Sequence, residues 1–330
     1  MKISIFGGGT WGTALSIQAG RAGNDVLLWV YDKGLARVIN SERENTAYLP
    51  GCPIPAGVRA TEDFAECASF SNSYFVVVPS HFCRGVYSRI AELAADGTRI
   101  MSATKGIEED TCKRMEEVAA ETVPQMKAYA VLAGPSFALE VGKAHPTTVV
   151  IASKDQALAQ EFQQALNTSL FRVYVHSDVL GVELAASLKN VIALASGIVS
   201  GLGFGLNTQA ALITRGLHEI TRLALTMGAR AETMAGLAGI GDLVLTCTGG
   251  LSRNRWVGEQ IGQGRKLSEI LSTMTQVAEG VRTTRSATQL AHRLGVVMPI
   301  TFEMHSILYE DKPPAAALKD LMERSLKKEY

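Results

Sequence analysis

Cysteine, histidine and excess charge are all scarce in these 330 residues, and each scarcity excludes something. The five cysteines (Cys52, Cys67, Cys83, Cys112, Cys247) contain no CxxC pair, and their odd number leaves one over in any disulfide scheme, so a reducing compartment is expected. The six histidines form no HExxH or related pattern, and no metal site is expected. Basic and acidic residues balance at 32 each, which argues against holding nucleic acid through net charge. Long apolar runs are missing too. The most membrane-like stretch, 191–204, falls short of the ~20 residues a span needs and is broken by Gly197, Gly201 and Gly203, so a buried helix is expected there. Residues 1–6 run straight into glycines without the apolar stretch of a signal peptide, and the expected location is cytoplasmic.

What is present is a large apolar fraction. With 47% hydrophobic and 19% charged residues, the chain has material for a big core rather than for disorder. Short β-rich runs at 2–6, 26–30, 74–78, 99–102, 128–132 and 148–152 alternate with helical patterns at 12–21, 35–39, 83–93, 111–121 and 136–142. Such alternation predicts βαβ units and a parallel sheet covered on both faces. A helix over 155–166 and a late edge strand over 171–175 follow. From residue 184 the pattern is almost wholly helical. The expected fold is therefore α/β: an N-terminal Rossmann-type doubly wound sheet (1–180) with a C-terminal all-helical domain (181–330).

Gly7-Gly8-Gly9-Thr10-Trp11-Gly12 fits G-x-G-x-x-G, and it sits between a strand pattern and a helix pattern, the context that gives the motif meaning. Gly7 permits the tight turn, Gly9 lets backbone approach a pyrophosphate, and Gly12 lets the helix pack on the sheet. The helix N-terminus then offers amides and partial positive charge to the phosphates. Asp32 lies 20 residues past Gly12, near where an acid would bind the adenosine ribose of NAD, but Lys33 and Arg37 would suit the 2′-phosphate of NADP. Both cofactors stay open.

Three turns follow strand patterns: Val77-Val78-Pro79-Ser80, Ala103-Thr104-Lys105-Gly106 and Ala133-Gly134-Pro135-Ser136. Ligands of open α/β sheets bind at the carboxyl ends of strands, so Lys105 and the turn at Gly134 and Ser136 are placed to touch cofactor or substrate. In the helical half, Lys189 stands among Leu184, Ala185, Leu188, Val191 and Ile192, which predicts burial and hence a partner or a task. Asp242, between glycines and apolar residues, reads as an oriented carboxylate. Ser252, Arg253 and Asn254 form a dense group of anion donors.

Taken together, GGGTWGTAL, VVVPS, ATKG, AGPSFA, KNVIA, ITRG, GIGDLVLTCTGGLSRN, VAEGVRT and MPI make nearly the whole chain resemble glycerol-3-phosphate dehydrogenase of the bacterial NAD(P)-dependent type. The resemblance implies reversible hydride transfer between dihydroxyacetone phosphate and sn-glycerol 3-phosphate, supplying glycerophospholipid synthesis. It implies that Thr10, Trp11, Tyr31, Ala138, Val277 and Glu279 line the cofactor with the glycine turn. Lys105, Gly134, Ser136, Ser252, Arg253 and Asn254 would meet substrate, with Lys105 and Arg253 also reaching the cofactor. Lys189 would be the catalytic acid/base, with Asp242 and Lys105 beside it. Tyr31 departs from the His or Arg that relatives often carry there. Desolvation and Lys105 would lower the Lys189 pKa and Asp242 would raise it, so the net sign stays open. A homodimer through apolar helix faces is a further expectation. The readings to be excluded are another two-domain dehydrogenase (β-hydroxyacid, 6-phosphogluconate or hydroxyacyl-CoA) and a dinucleotide-binding regulator with a dead site.

Overall fold

Strand and helix alternate through the first half of the computed structural model, which describes residues 1–274, 278–326 and 328–329. The order is β1 (Lys2–Phe6), α1 (Thr10–Arg21), β2 (Asp25–Trp29), α2 (Leu35–Glu42), β3 (Val58–Thr61), α3 (Phe64–Phe70), β4 (Ser73–Val76), α4 (Ser80–Leu93), β5 (Thr98–Ser102), α5 (Met115–Thr122), β6 (Met126–Ala133), α6 (Ala138–Gly142), β7 (Thr147–Ser153), α7 (Gln156–Leu166) and β8 (Phe171–His176). The sheet runs β3-β2-β1-β4-β5-β6-β7-β8. Successive side chains on a strand point to opposite faces, and this divides the core in two. Ile3, Ile5, Leu28 and Phe75 pack under α1, α2 and α7. Phe6, Leu27, Tyr74 and Val76 pack under α3, α4 and α5.

Two parts of the sequence reading need correction. The sheet is not wholly parallel, because β7 runs antiparallel to β6. The intervening α6 has five residues and rises only about 7.5 Å, whereas the eight-residue β6 spans about 26 Å, so the helix cannot carry the chain back to the strand's starting end. The short pair β3 and α3 is also missing from that reading. β3 is only four residues long, and α3 is set by a cap that periodicity does not report: Asp63 accepts from the amides of Ala65 and Glu66.

Beyond β8 the chain is helical: α8 (Val179–Gly201), α9 (Leu206–Thr226), α10 (Ala231–Met234), a π-helical turn Leu237–Gly241, α11 (Asp242–Thr248), α12 (Arg253–Gly262), α13 (Leu267–Ser272), α14 (Glu279–Leu294), α15 (Pro299–Tyr309) and α16 (Pro314–Met322). The length expected for the apolar stretch at 191–204 is also corrected: α8 begins at Val179 and is long and apolar enough to cross a membrane, but its apolar window lies entirely inside the protein, ringed by α9, α11, α12 and α14. The glycines that interrupt its apolar run have a packing cause. A Cβ on Gly197 would stand 1.9 Å from the Arg255 carbonyl oxygen, and one on Gly258 would stand 1.9 Å from that of Leu194. Backbone-to-backbone contact of α8 with α12 is possible only without those side chains, and it draws the start of α12 toward the middle of α8.

Candidate active site

Strand order reverses between β1 and β4, and their carboxyl ends open there onto a cleft of about 820 Å³. One wall is the glycine turn. Gly7 has φ +120°, and a Cβ on Gly12 would lie 1.8 Å from the Gly7 carbonyl oxygen, so α1 is seated directly against the turn. Gly9 precedes α1 with no side-chain cap, and a Cβ there would meet nothing within 4 Å, which leaves the helix entrance accessible from the cleft. The Trp11 indole Nε1 is buried beside the same space without a hydrogen-bond partner among the described residues. A turn that admits a close backbone approach, a helix N-terminus and an orphaned donor fit a bound dinucleotide. Gly12→Ala is accordingly expected to displace the turn, weaken NADH binding by more than tenfold and cost about 1–3 kcal/mol of stability as overpacking. Fluorescence titration and thermal melting check this, and wild-type affinity in the variant would contradict it.

The opposite wall comes from the helical half. Lys189, on α8, is only 4% exposed. Its Nζ donates to Asp242 Oδ1 at 2.5 Å and to Thr246 Oγ1 at 3.0 Å. The Thr246 hydroxyl donates in turn to the Asp242 backbone oxygen at 2.6 Å. Asp242 opens α11, so Thr246 stands one helical turn further along the same face. Lys105, from the loop after β5, brings its Nζ to 3.5 Å from Asp242 Oδ2 and 5.8 Å from the Trp11 ring centroid. A carboxylate 1% exposed thus lies between two ammonium groups, one per oxygen. Burial brings the Lys189 pKa down to about 7; Asp242 opposes the shift and Lys105 adds to it. The sign left open by the sequence is therefore downward.

At the head of α12, Ser252 caps the helix by accepting from the Arg255 amide. Asn254 donates to Asn190 Oδ1 at 3.0 Å and accepts from the Gly280 amide at 3.0 Å, joining α12 to α8 and α14. Arg253 faces the cleft and forms no hydrogen bond or ion pair with the described residues. Arg253 stays open to solvent at the cleft mouth, yet the crowding of the walls around it lowers its pKa, with Glu279 opposing. Glu279 accepts from the Ser80 amide at 3.0 Å, and burial raises its pKa.

The residues singled out from sequence converge unevenly. Gly7, Gly9, Thr10, Trp11, Tyr31, Lys105, Ser136, Ala138, Lys189, Asp242, Ser252, Arg253, Asn254 and Glu279 all line this one cleft. Gly12 and Gly134 do not: Gly12 packs behind the turn, and Gly134 supports the loop, accepting at its carbonyl from Ser136 Oγ at 2.9 Å. Val277 lies outside the described residues. Sequence reasoning missed Thr246, Asn190 and Tyr48, which also line the cleft. The four-residue spacing from Asp242 is a signal that could have found Thr246; nothing local marks the other two.

A dinucleotide cradle at the switch point of the sheet, facing a buried lysine–carboxylate pair and an arginine with no bonding partner among the described residues, defines a two-domain nicotinamide-dinucleotide dehydrogenase. Residues 2–159 match the family described as NAD-dependent glycerol-3-phosphate dehydrogenase N-terminus, and residues 178–319 match the C-terminus of the same family. The chain belongs to the NAD-dependent glycerol-3-phosphate dehydrogenase family. It is 49% identical over 330 residues to a glycerol-3-phosphate dehydrogenase (NAD(P)+) of Geobacter sulfurreducens, covering 99% of this chain and 98% of that protein. A Chlorobium phaeobacteroides (strain BS1) protein of the same name is 46% identical, with 100% and 99% covered. The crystal structure of glycerol-3-phosphate dehydrogenase from Coxiella burnetii superposes with a TM-score of 0.94 at 40% identity, covering 98% of this chain and 99% of that one. A ketopantoate reductase from Ralstonia eutropha, at TM-score 0.59 and 16% identity, shares the fold alone.

Proposed function

We propose that the protein interconverts dihydroxyacetone phosphate and sn-glycerol 3-phosphate in the cytoplasm, supplying glycerol phosphate for glycerophospholipid synthesis. In this reading residues 1–180 hold the dinucleotide and 181–330 the substrate. The observation that carries it is the buried Lys189, tied to Asp242 and facing the same cleft as the glycine turn. When bound, the nicotinamide dinucleotide supplies or accepts the hydride. Lys189 handles the proton. An ammonium has three N–H donors, and Asp242 and Thr246 take two, which leaves one for the substrate oxygen as it becomes an alkoxide. Asp242 holds that donor in place, while Lys105 adds positive charge near the developing oxyanion. Arg253, whose guanidinium has no hydrogen bond or ion pair to give up among the described residues, grips the phosphate at the start of α12 and so positions the carbonyl. Ser252, Asn254 and Ser136 shape that seat; Thr10, Trp11, Tyr31, Ala138 and Glu279 contact the dinucleotide.

The lowered Lys189 pKa carries a test. Ketone reduction needs the protonated amine, which is lost above about pH 7, so its rate should fall as pH rises through that value. Alcohol oxidation needs the neutral amine and should rise through the same value. Nicotinamide absorbance followed in both directions from pH 5.5 to 9 measures this. Two profiles of the same sign would remove Lys189 from the acid/base role, and no turnover of either phosphate ester would remove the substrate assignment.

A further inference from the structure

We infer that the adenosine end of the cleft selects a dinucleotide with a free 2′-hydroxyl, so that the chain prefers NAD(H) to NADP(H), with Asp32 as the specificity-determining residue and Tyr48 and Glu62 as positioning residues. The inference rests on the dinucleotide reading of the cleft and leaves the substrate aside.

Asp32 lies three residues beyond the end of β2 and lines the cleft with Tyr31 and Tyr48. The Tyr48 hydroxyl donates to Asp32 Oδ2 at 2.6 Å. That bond orients the carboxylate and leaves Oδ1 as an acceptor for a ribose hydroxyl. The neighbouring turn opens α2, and its amides would be the natural seat for a 2′-phosphate. They are already taken: Gly34 N and Ala36 N donate to Glu62 Oε1 at 2.7 and 3.3 Å. Glu62 is held in turn by Trp29 Nε1, which donates to its carbonyl oxygen at 3.1 Å. A 2′-phosphate arriving here would meet two carboxylates and a helix entrance that the protein's own anion occupies.

The nearby cations do not reverse this. Lys33 and Arg37 are exposed and do not line the cleft. Arg43 spends its guanidinium on the carbonyls of Ile54 and Pro55. Arg89 does line the cleft, but its guanidinium lies 3.9 Å from the Phe64 ring centroid and 5.6 Å from that of Trp29, covering aromatic faces. Tyr31, 82% exposed at the rim, offers a ring and no charge.

The test is fluorescence titration of the intact protein with NADH and with NADPH, without substrate. NADH should bind at least tenfold more tightly. Asp32→Ser should shrink that ratio at least tenfold, weakening NADH and strengthening NADPH; Tyr48→Phe should move it the same way by roughly threefold, as a lost orienting bond would. Glu62→Gln should improve NADPH alone. Equal or tighter NADPH binding by the wild type, or a ratio unmoved by Asp32→Ser, overturns the inference. So does Arg89→Ala if it weakens NADPH and spares NADH, since Arg89 would then read the 2′-phosphate. A protein that shows the binding preference but never turns over dihydroxyacetone phosphate loses the substrate assignment and keeps this one; binding of neither dinucleotide ends both.

Discussion

Lys189→Ala is expected to lower kcat for dihydroxyacetone phosphate reduction by about 10²- to 10⁴-fold while dinucleotide affinity changes little. The residue faces the cleft from the helical half, whereas the glycine turn sits on the sheet, so the two functions should separate. The same change leaves Asp242, 1% exposed, without its closest cation. A buried charge stripped of its partner destabilises by about 3–5 kcal/mol, so a lower melting temperature is expected in the single variant. Pairing Lys189→Met with Asp242→Asn removes both charges and should recover most of that stability. It should recover none of the turnover. If the double variant regained activity with its stability, Lys189 would be a structural ion-pair member and the acid/base assignment would fall.

Arg253→Ala should cut kcat/KM for dihydroxyacetone phosphate by roughly 100-fold or more, the scale of two lost hydrogen bonds to a charged group at about 1.5–3 kcal/mol each. Stability should hardly change, because Arg253 has no hydrogen bond or ion pair among the described residues to lose. The discriminating comparison is dihydroxyacetone, the same ketone without its phosphate. A true phosphate grip costs the phosphorylated ketone alone. An equal loss on both ketones would move the phosphate seat elsewhere in the cleft.

Much of this site could be read along the chain because its parts are local. The glycine turn is marked by spacing and by its place between a strand and a helix pattern, and in the structure a side chain at Gly12 would collide with the Gly7 carbonyl oxygen of that turn. Burial of Lys189 followed from apolar neighbours at helical spacing, and the structure places it at 4% exposure. Where the reading failed, the cause was not local. The direction of β7 turned on the length of α6 measured against β6. The Asp32–Tyr48 bond joins a strand end to a separate loop, and no periodicity links the two.

The order of the amino acids by itself determined the elements, the phosphate turn and the types of group available for the chemistry, because side-chain period and turn conformation act within a few residues. Tertiary structure alone decided that Lys105 and Lys189 would meet at the two oxygens of Asp242, and that desolvation would outweigh the attraction of Asp242 and pull the Lys189 pKa down. Coulomb energy and desolvation depend on distance and on surrounding atoms, and packing sets both.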